Sequence, residues 1–165
     1  MKKIRLITLF LLITALLITV GTAAADSSRN FRTHLSGKEE VPNPVDTNAQ
    51  GQAIFQLSKD GTELKFKLIV ANIDNVVGSH IHLAPKGQNG PIVVNLFGAP
   101  FVPDPGVTVN GTLAEGTITA ADVVGPLGMQ ENPLEALVDM IKADNTYVNV
   151  HTVQHRGGEI RGQLD

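Results

Sequence analysis

The sequence contains no cysteine and no tryptophan, one tyrosine and six phenylalanines. Without cysteine there is no disulfide staple, no thiol nucleophile and no thioether lipid anchor, so packing has to stabilise the chain even in an oxidising compartment. With so few aromatic rings, the core has to come from Val, Ile and Leu and a handful of Phe. Positive charge is also scarce: thirteen Lys and Arg stand against sixteen Asp and Glu, for a formal net charge of −3. The basic residues beyond the first few are scattered, and a polyanion requires a dense basic patch to displace its counterions. Nucleic acid is therefore excluded as an expected partner. There is no Gly-x-Ser-x-Gly elbow for a serine hydrolase. The stretch Gly87-Gln88-Asn89-Gly90 lacks the Lys-Ser or Lys-Thr of a phosphate-binding loop and reads as a turn.

Lys2, Lys3 and Arg5 precede an apolar run over 6–20, and Ala23-Ala24-Ala25 follows it. This is the pattern of a secretory signal peptide over residues 1–25. An apolar run of about fifteen residues is shorter than the roughly 20 needed to cross a bilayer. No membrane span is expected after cleavage, the alternative being an uncleaved signal anchor. The expected organisation is a flexible lead-in over 26–30 and one domain over 31–165, either secreted to the extracellular space or held in a cell envelope. Loss of the leader removes three basic residues and no acidic ones, which moves the net charge from −3 to −6.

Alternation at period two marks the strands. Phe31, Thr33 and Leu35 alternate with Arg32, His34 and Ser36. Ala53, Phe55 and Leu57 alternate with Gln52 and Gln56, and Leu64, Phe66, Leu68 and Val70 with Lys65 and Lys67. Lys59-Asp60-Gly61-Thr62 separates two of these runs, and Asp-Gly predicts a tight hairpin with positive φ angles. Further strands are expected over 77–83, 92–97, 107–119 (with a break near Gly111 or Gly116), 147–153 and 159–164. Short strands punctuated by Gly and Pro predict an all-β fold, a Greek-key sandwich or barrel of about seven to nine antiparallel strands. One helix is expected over 133–143. Asn132 would cap it, Pro133 suits its first turn, and Leu134, Leu137, Val138 and Ile141 form its apolar stripe.

Residues two apart on a strand share a face. His80 and His82 therefore point together, and if Ile81 and Leu83 face the core, both imidazoles face outward. The same parity buries Val148 and Val150 and turns Tyr147, Asn149 and His151 outward. Should these two strands be neighbours, three imidazoles converge on one outer face. Three neutral imidazoles suit Cu(II) or Zn(II), and the alternative is a hydrogen-bonded cluster without metal. His155 would extend the face if its strand ran on past the Arg156-Gly157-Gly158 turn. Glu159 and Glu40 are candidate carboxylate ligands or partners that orient an imidazole, with Arg161 able to pair with either. Solitary His34 reads as an exposed residue of the first strand. Glu39 and Glu40, adjacent in sequence, make a poor catalytic carboxylate pair.

Four ordered motifs resemble the CHRD domain family, the module named for its occurrence in chordin. They are Leu35-Ser36-Gly37-Lys38-Glu39-Glu40-Val41-Pro42, Gly78-Ser79-His80-Ile81-His82-Leu83-Ala84-Pro85 running into Asn89-Gly90-Pro91-Ile92-Val93-Val94, Gly116-Thr117-Ile118-Thr119-Ala120-Ala121-Asp122, and Tyr147-Val148-Asn149-Val150-His151-Thr152 ending in Gly157-Gly158-Glu159-Ile160-Arg161-Gly162-Gln163-Leu164. The resemblance implies a β-rich domain of extracellular type. It carries no activity across, and the Cys-rich modules that accompany the domain in the growth-factor antagonist chordin are missing. The His-x-His strand and later histidine also look like the copper face of Cu,Zn superoxide dismutase, although that enzyme's disulfide and its zinc-binding loop have no counterpart. The expected function is a secreted binding or structural protein, without catalytic residues, carrying a copper or zinc site at His80, His82 and His151, with His155 and Glu159 as additional ligands. One alternative is an extracellular copper-dependent redox enzyme. The other is a metal-free envelope or adhesion module that meets a protein or glycan partner.

Overall fold

A computed structural model describes residues 29–98 and 101–165. The signal peptide expected over 1–25 lies outside the described residues, as do 26–28 of the expected lead-in. Seven antiparallel strands form one sheet: β1 (Asn30–Ser36), β2 (Gln50–Leu57), β3 (Leu64–Leu83), β4 (Ile92–Phe97), β5 (Val107–Ile118), β6 (Thr146–Thr152) and β7 (Ile160–Gln163). The sheet runs in the order β2-β1-β7-β6-β3-β4 and returns on itself because β3 also pairs with β2, while β5 lies against β3. The all-β expectation holds, in its barrel form, with a strand count inside the expected range.

β3 is where the sequence reading needs correcting. Two strands were expected, over 64–70 and 77–83, but the chain continues as one strand of 20 residues that changes partners along its length. Its first half pairs with β2 from Leu64 to Ala71, and its second half pairs with β6 from Val76 to Leu83. Between the two lie Asn72 and Asn75, both at φ 55°. Asparagine tolerates this left-handed region better than other residues with a side chain. The two residues bend the strand without ending it. Register slips against β5 in this stretch, between Val70 and Ile73 and again between Ile73 and Val76. The break expected in β5 near Gly111 is a bulge, with Gly111 at φ 138° and the register to β3 shifting between Leu68 and Ile69.

The turn between β2 and β3 is also less tight than Asp-Gly suggests. Only Gly61 has a positive φ. The turn closes through two backbone bonds: Ser58 N donates to Glu63 O at 2.8 Å, and Gly61 N to Ser58 O at 3.2 Å. The Asp60 carboxylate accepts from the Ser58 and Thr62 hydroxyls at 2.6 and 2.9 Å.

Parity of side chains along the strands fills the interior. Phe31, Leu35, Ala53, Phe55, Leu64, Leu68, Ile81, Val148, Val150, Ile160 and Leu164 belong to one continuous core. The expected helix spans Pro133–Lys142. Leu134, Leu137, Val138 and Ile141 all enter the same core, whereas Glu135, Asp139 and Lys142 stay exposed. Asn132 occupies the N-cap position but its side chain makes no capping bond, so Pro133 and the apolar stripe define the start of this helix.

The bend in β3 should be sensitive to side-chain shape. Asn75→Gly is expected to leave stability nearly unchanged, whereas Asn75→Val should lower it by about 1 to 2 kcal/mol. Urea denaturation of the two variants checks this, and equal midpoints would contradict it.

Candidate metal centre

His80 and His82 sit on the second half of β3, and β6 runs beside them. The register places His80 opposite Asn149, His82 opposite Tyr147 and His151 opposite Gly78. His80 is the diagonal neighbour of His151 across this pair of strands. The ring centroids of His80 and His151 are 5.0 Å apart, those of His80 and His82 5.7 Å, and those of His82 and His151 5.8 Å. One ring nitrogen from each residue lies within 4.8 Å of the other two. Donor nitrogens on a common ion stand about 3.3 to 3.5 Å apart, given metal–nitrogen distances of about 2.0 to 2.1 Å. A small inward rotation of the rings would meet that spacing.

The three imidazoles share the face that strand parity predicts, but that face is not open to solvent. His80, His82 and His151 are 0 %, 8 % and 5 % exposed, and every residue of β6 is buried. Loops cover what a bare sheet would expose. The His82 ring meets the Gly90 carbonyl through Nδ1 at 3.0 Å, and the Gly90 N–H donates to the Tyr147 hydroxyl at 3.2 Å. The His151 ring meets the Arg156 carbonyl through Nδ1 at 3.0 Å. Phe101 packs edge-on against His80 and His151, with centroids 5.4 and 5.5 Å away.

These contacts settle the tautomers. A carbonyl can only accept, so His82 and His151 each carry the proton on Nδ1 and present a bare Nε2. Both Nε2 atoms are buried and have no hydrogen-bond partner. Burial holds the rings neutral: it pushes the pKa of His82 down to about 4, helped by His80 and Arg161 and opposed by the Gly90 carbonyl. For His151 burial, together with His80 and His82, pushes it down to about 3.

A second polar cluster adjoins the histidines. Arg161 is 2 % exposed, and its guanidinium lies 3.4 Å from the Tyr147 ring centroid, while the His82 ring stacks on Tyr147 at 4.9 Å and 6°. Arg161 does not take Glu40 or Glu159 as its hydrogen-bond partner, as the sequence reading allowed. It donates to Asn89 Oδ1 at 2.8 Å and to the Gln88 carbonyl at 2.7 Å. These bonds tie the 84–91 loop down over the face. Glu159 is buried and accepts from Thr47 and Thr152 at 2.8 and 2.7 Å. Glu40 is buried beside Asn149, whose amide donates to Glu40 Oε2 at 3.5 Å, and a Cβ on Gly158 would collide with both side chains. Glu40 Oε1 and Asn149 Oδ1 have no partner.

Among the described residues, the metal-capable group is His80, His82 and His151. His155 and Glu159 stand outside it: His155 lies in the turn after β6, its N–H bonded to the Thr152 hydroxyl at 3.1 Å, and Glu159 is occupied by its two threonines. His34 is exposed on β1. Sequence reasoning missed Phe101 and the two carbonyls of Gly90 and Arg156. A backbone carbonyl leaves no signal in sequence.

A closed antiparallel sheet with a buried histidine cluster on its covered outer face defines the class of domain. The CHRD domain family matches residues 31–164, and the chain belongs to that family. No curated protein and no solved structure matches it. No helix among the described residues is long and apolar enough to cross a membrane.

The unpartnered Glu40 oxygen has a consequence for pH. Burial raises the Glu40 carboxyl from 4.5 to about 7, with Arg161 and Asn149 pulling the other way. The folded state thus binds this proton more tightly than the unfolded chain does. The stability that neutral Glu40 contributes is full below pH 4.5 and is lost as pH rises through about 7. In Glu40→Gln an amide N–H replaces the acid proton. The substitution should raise stability at pH 8 by about 1 to 3 kcal/mol and flatten the slope between pH 5 and pH 7. Denaturant melts across that range check it, and an unchanged slope contradicts it.

Proposed function

We propose that this CHRD domain is a secreted or envelope-held metal-binding module that takes one copper or zinc ion between His80, His82 and His151. One observation carries the reading: His82 and His151 each spend Nδ1 on a backbone carbonyl and hold a neutral, buried, unpartnered Nε2, and one ring nitrogen from each lies within 4.8 Å of one on His80. Leaving buried nitrogen acceptors unbonded costs about 1 to 3 kcal/mol each, and a metal ion would satisfy them. An imidazole whose far N–H is anchored to a carbonyl is also the arrangement metal-ligating histidines adopt. The purely structural alternative needs donors facing those nitrogens, and His82 and His151 have none. Copper and zinc follow from a donor set of imidazoles alone.

The Arg161-Tyr147-His82 stack and the loops it fastens would hold the ligand rings in place. Arg161 and Tyr147 are in that sense positioning residues for His82. Among the described residues no constellation for covalent chemistry stands beside the histidines, and binding rather than catalysis is the role the geometry favours.

Calorimetric titration of Zn(II) and Cu(II) into the protein should give one ion per chain. His80→Ala/His82→Ala and His151→Ala should each weaken binding by at least about a hundred-fold, since each leaves fewer than three imidazoles. Weak binding that is insensitive to both variants would contradict the proposal.

A further inference from the structure

Resting on that reading, the surroundings of the three histidines bear on which oxidation state and coordination number the site takes. Three features matter. The donor set is three imidazoles with no carboxylate among them. Glu159 accepts from Thr47 and Thr152, Glu40 accepts from Asn149 through one oxygen, and Asp104 pairs with Arg156, and none of the three belongs to the cluster. Phe101 stands edge-on to His80 at 84° and to His151 at 87° and is itself 40 % exposed.

An ion placed among these rings gains no negative ligand to offset its charge, and the cost of burying it grows with the square of that charge. A divalent ion is therefore penalised about four-fold more than a monovalent one in the same cavity. Zn(II) in addition is almost always four-coordinate, and in sites with three protein ligands it takes water as the fourth. The apolar, part-exposed Phe101 lies edge-on to two of the three imidazoles and offers such a water no hydrogen bond. The positive guanidinium of Arg161, behind Tyr147 on the His82 side, adds a further penalty on the higher charge. A monovalent d¹⁰ ion content with three ligands bears the smaller charge penalties and needs no fourth ligand.

We propose that the cluster is a three-coordinate site that selects Cu(I), and that Phe101 sets this selectivity by denying a fourth ligand to the ion. The role fits a domain that holds or passes on cuprous copper.

The test is anaerobic competition for Cu(I) against bicinchoninate, run beside Zn(II) competition against a chromogenic chelator, on the full chain and on Phe101→Ala and His151→Ala. Thermal melts confirm that each variant is folded. The expected result is Cu(I) held at least about a hundred-fold more tightly than Zn(II), with the ratio falling at least about ten-fold in Phe101→Ala as water gains access. His151→Ala should lose both ions. Zn(II) binding as tightly as Cu(I) would overturn the selectivity while leaving the metal site standing. A Cu(I) preference untouched by Phe101→Ala would overturn the role given to that ring. Failure of the unsubstituted protein to bind either ion would overturn the metal site itself.

Discussion

The structure depends on one strand serving two sets of neighbours. β3 is long enough to wall both halves of the sheet, and it can do so only because Asn72 and Asn75 turn it partway along. Before the bend it is bonded to β2, and after it to β6, which closes the path through β1 and β7. The bend also decides where the chemistry falls. His80 and His82 come after it, opposite Asn149 and Tyr147, with His151 on the diagonal from His80. Were the two halves separate strands, nothing would oblige the His-x-His pair to lie against β6.

Closure of the sheet accounts for the core, but loops make the site. A histidine pair on a bare sheet would be wet and would titrate in the ordinary range. Here the 84–91 loop is fastened by Arg161 through Asn89 and Gln88, and it delivers the Gly90 carbonyl to His82. The turn after β6 delivers the Arg156 carbonyl to His151. Each bond protonates one nitrogen and frees the other, while the same loops exclude the water that would otherwise occupy the freed atoms. Burial and tautomer thus have a common cause, and together they make the imidazoles neutral donors.

Much of this was legible in the sequence, because period-two alternation is a local property. It marked β1, β2 and both halves of β3, paired the outward parity of His80 and His82 with that of His151, and the apolar stripe of the 133–142 helix was equally plain. What could not be read was set by distant parts of the chain. Alternation cannot distinguish a face that meets solvent from one covered by a loop 8 or 57 residues away, so the three histidines were expected to face outward and are buried. The continuity of β3 was hidden because Asn72, Asp74 and Asn75 resemble a loop. Arg161 was matched to the nearby carboxylates on charge, yet the loop carbonyl and amide that reach it are its partners.

The central claim is that two backbone carbonyls fix the His82 and His151 tautomers and leave Nε2 free to bind metal. Long-range proton–nitrogen NMR of the imidazoles at pH 7 tests it most directly. The account predicts Nδ1–H tautomers for both rings, no protonation near the usual 6.5, and a shift of both Nε2 signals that is complete at one equivalent of Zn(II). Nε2–H tautomers, or rings that titrate as free histidine does and ignore added zinc, would contradict it.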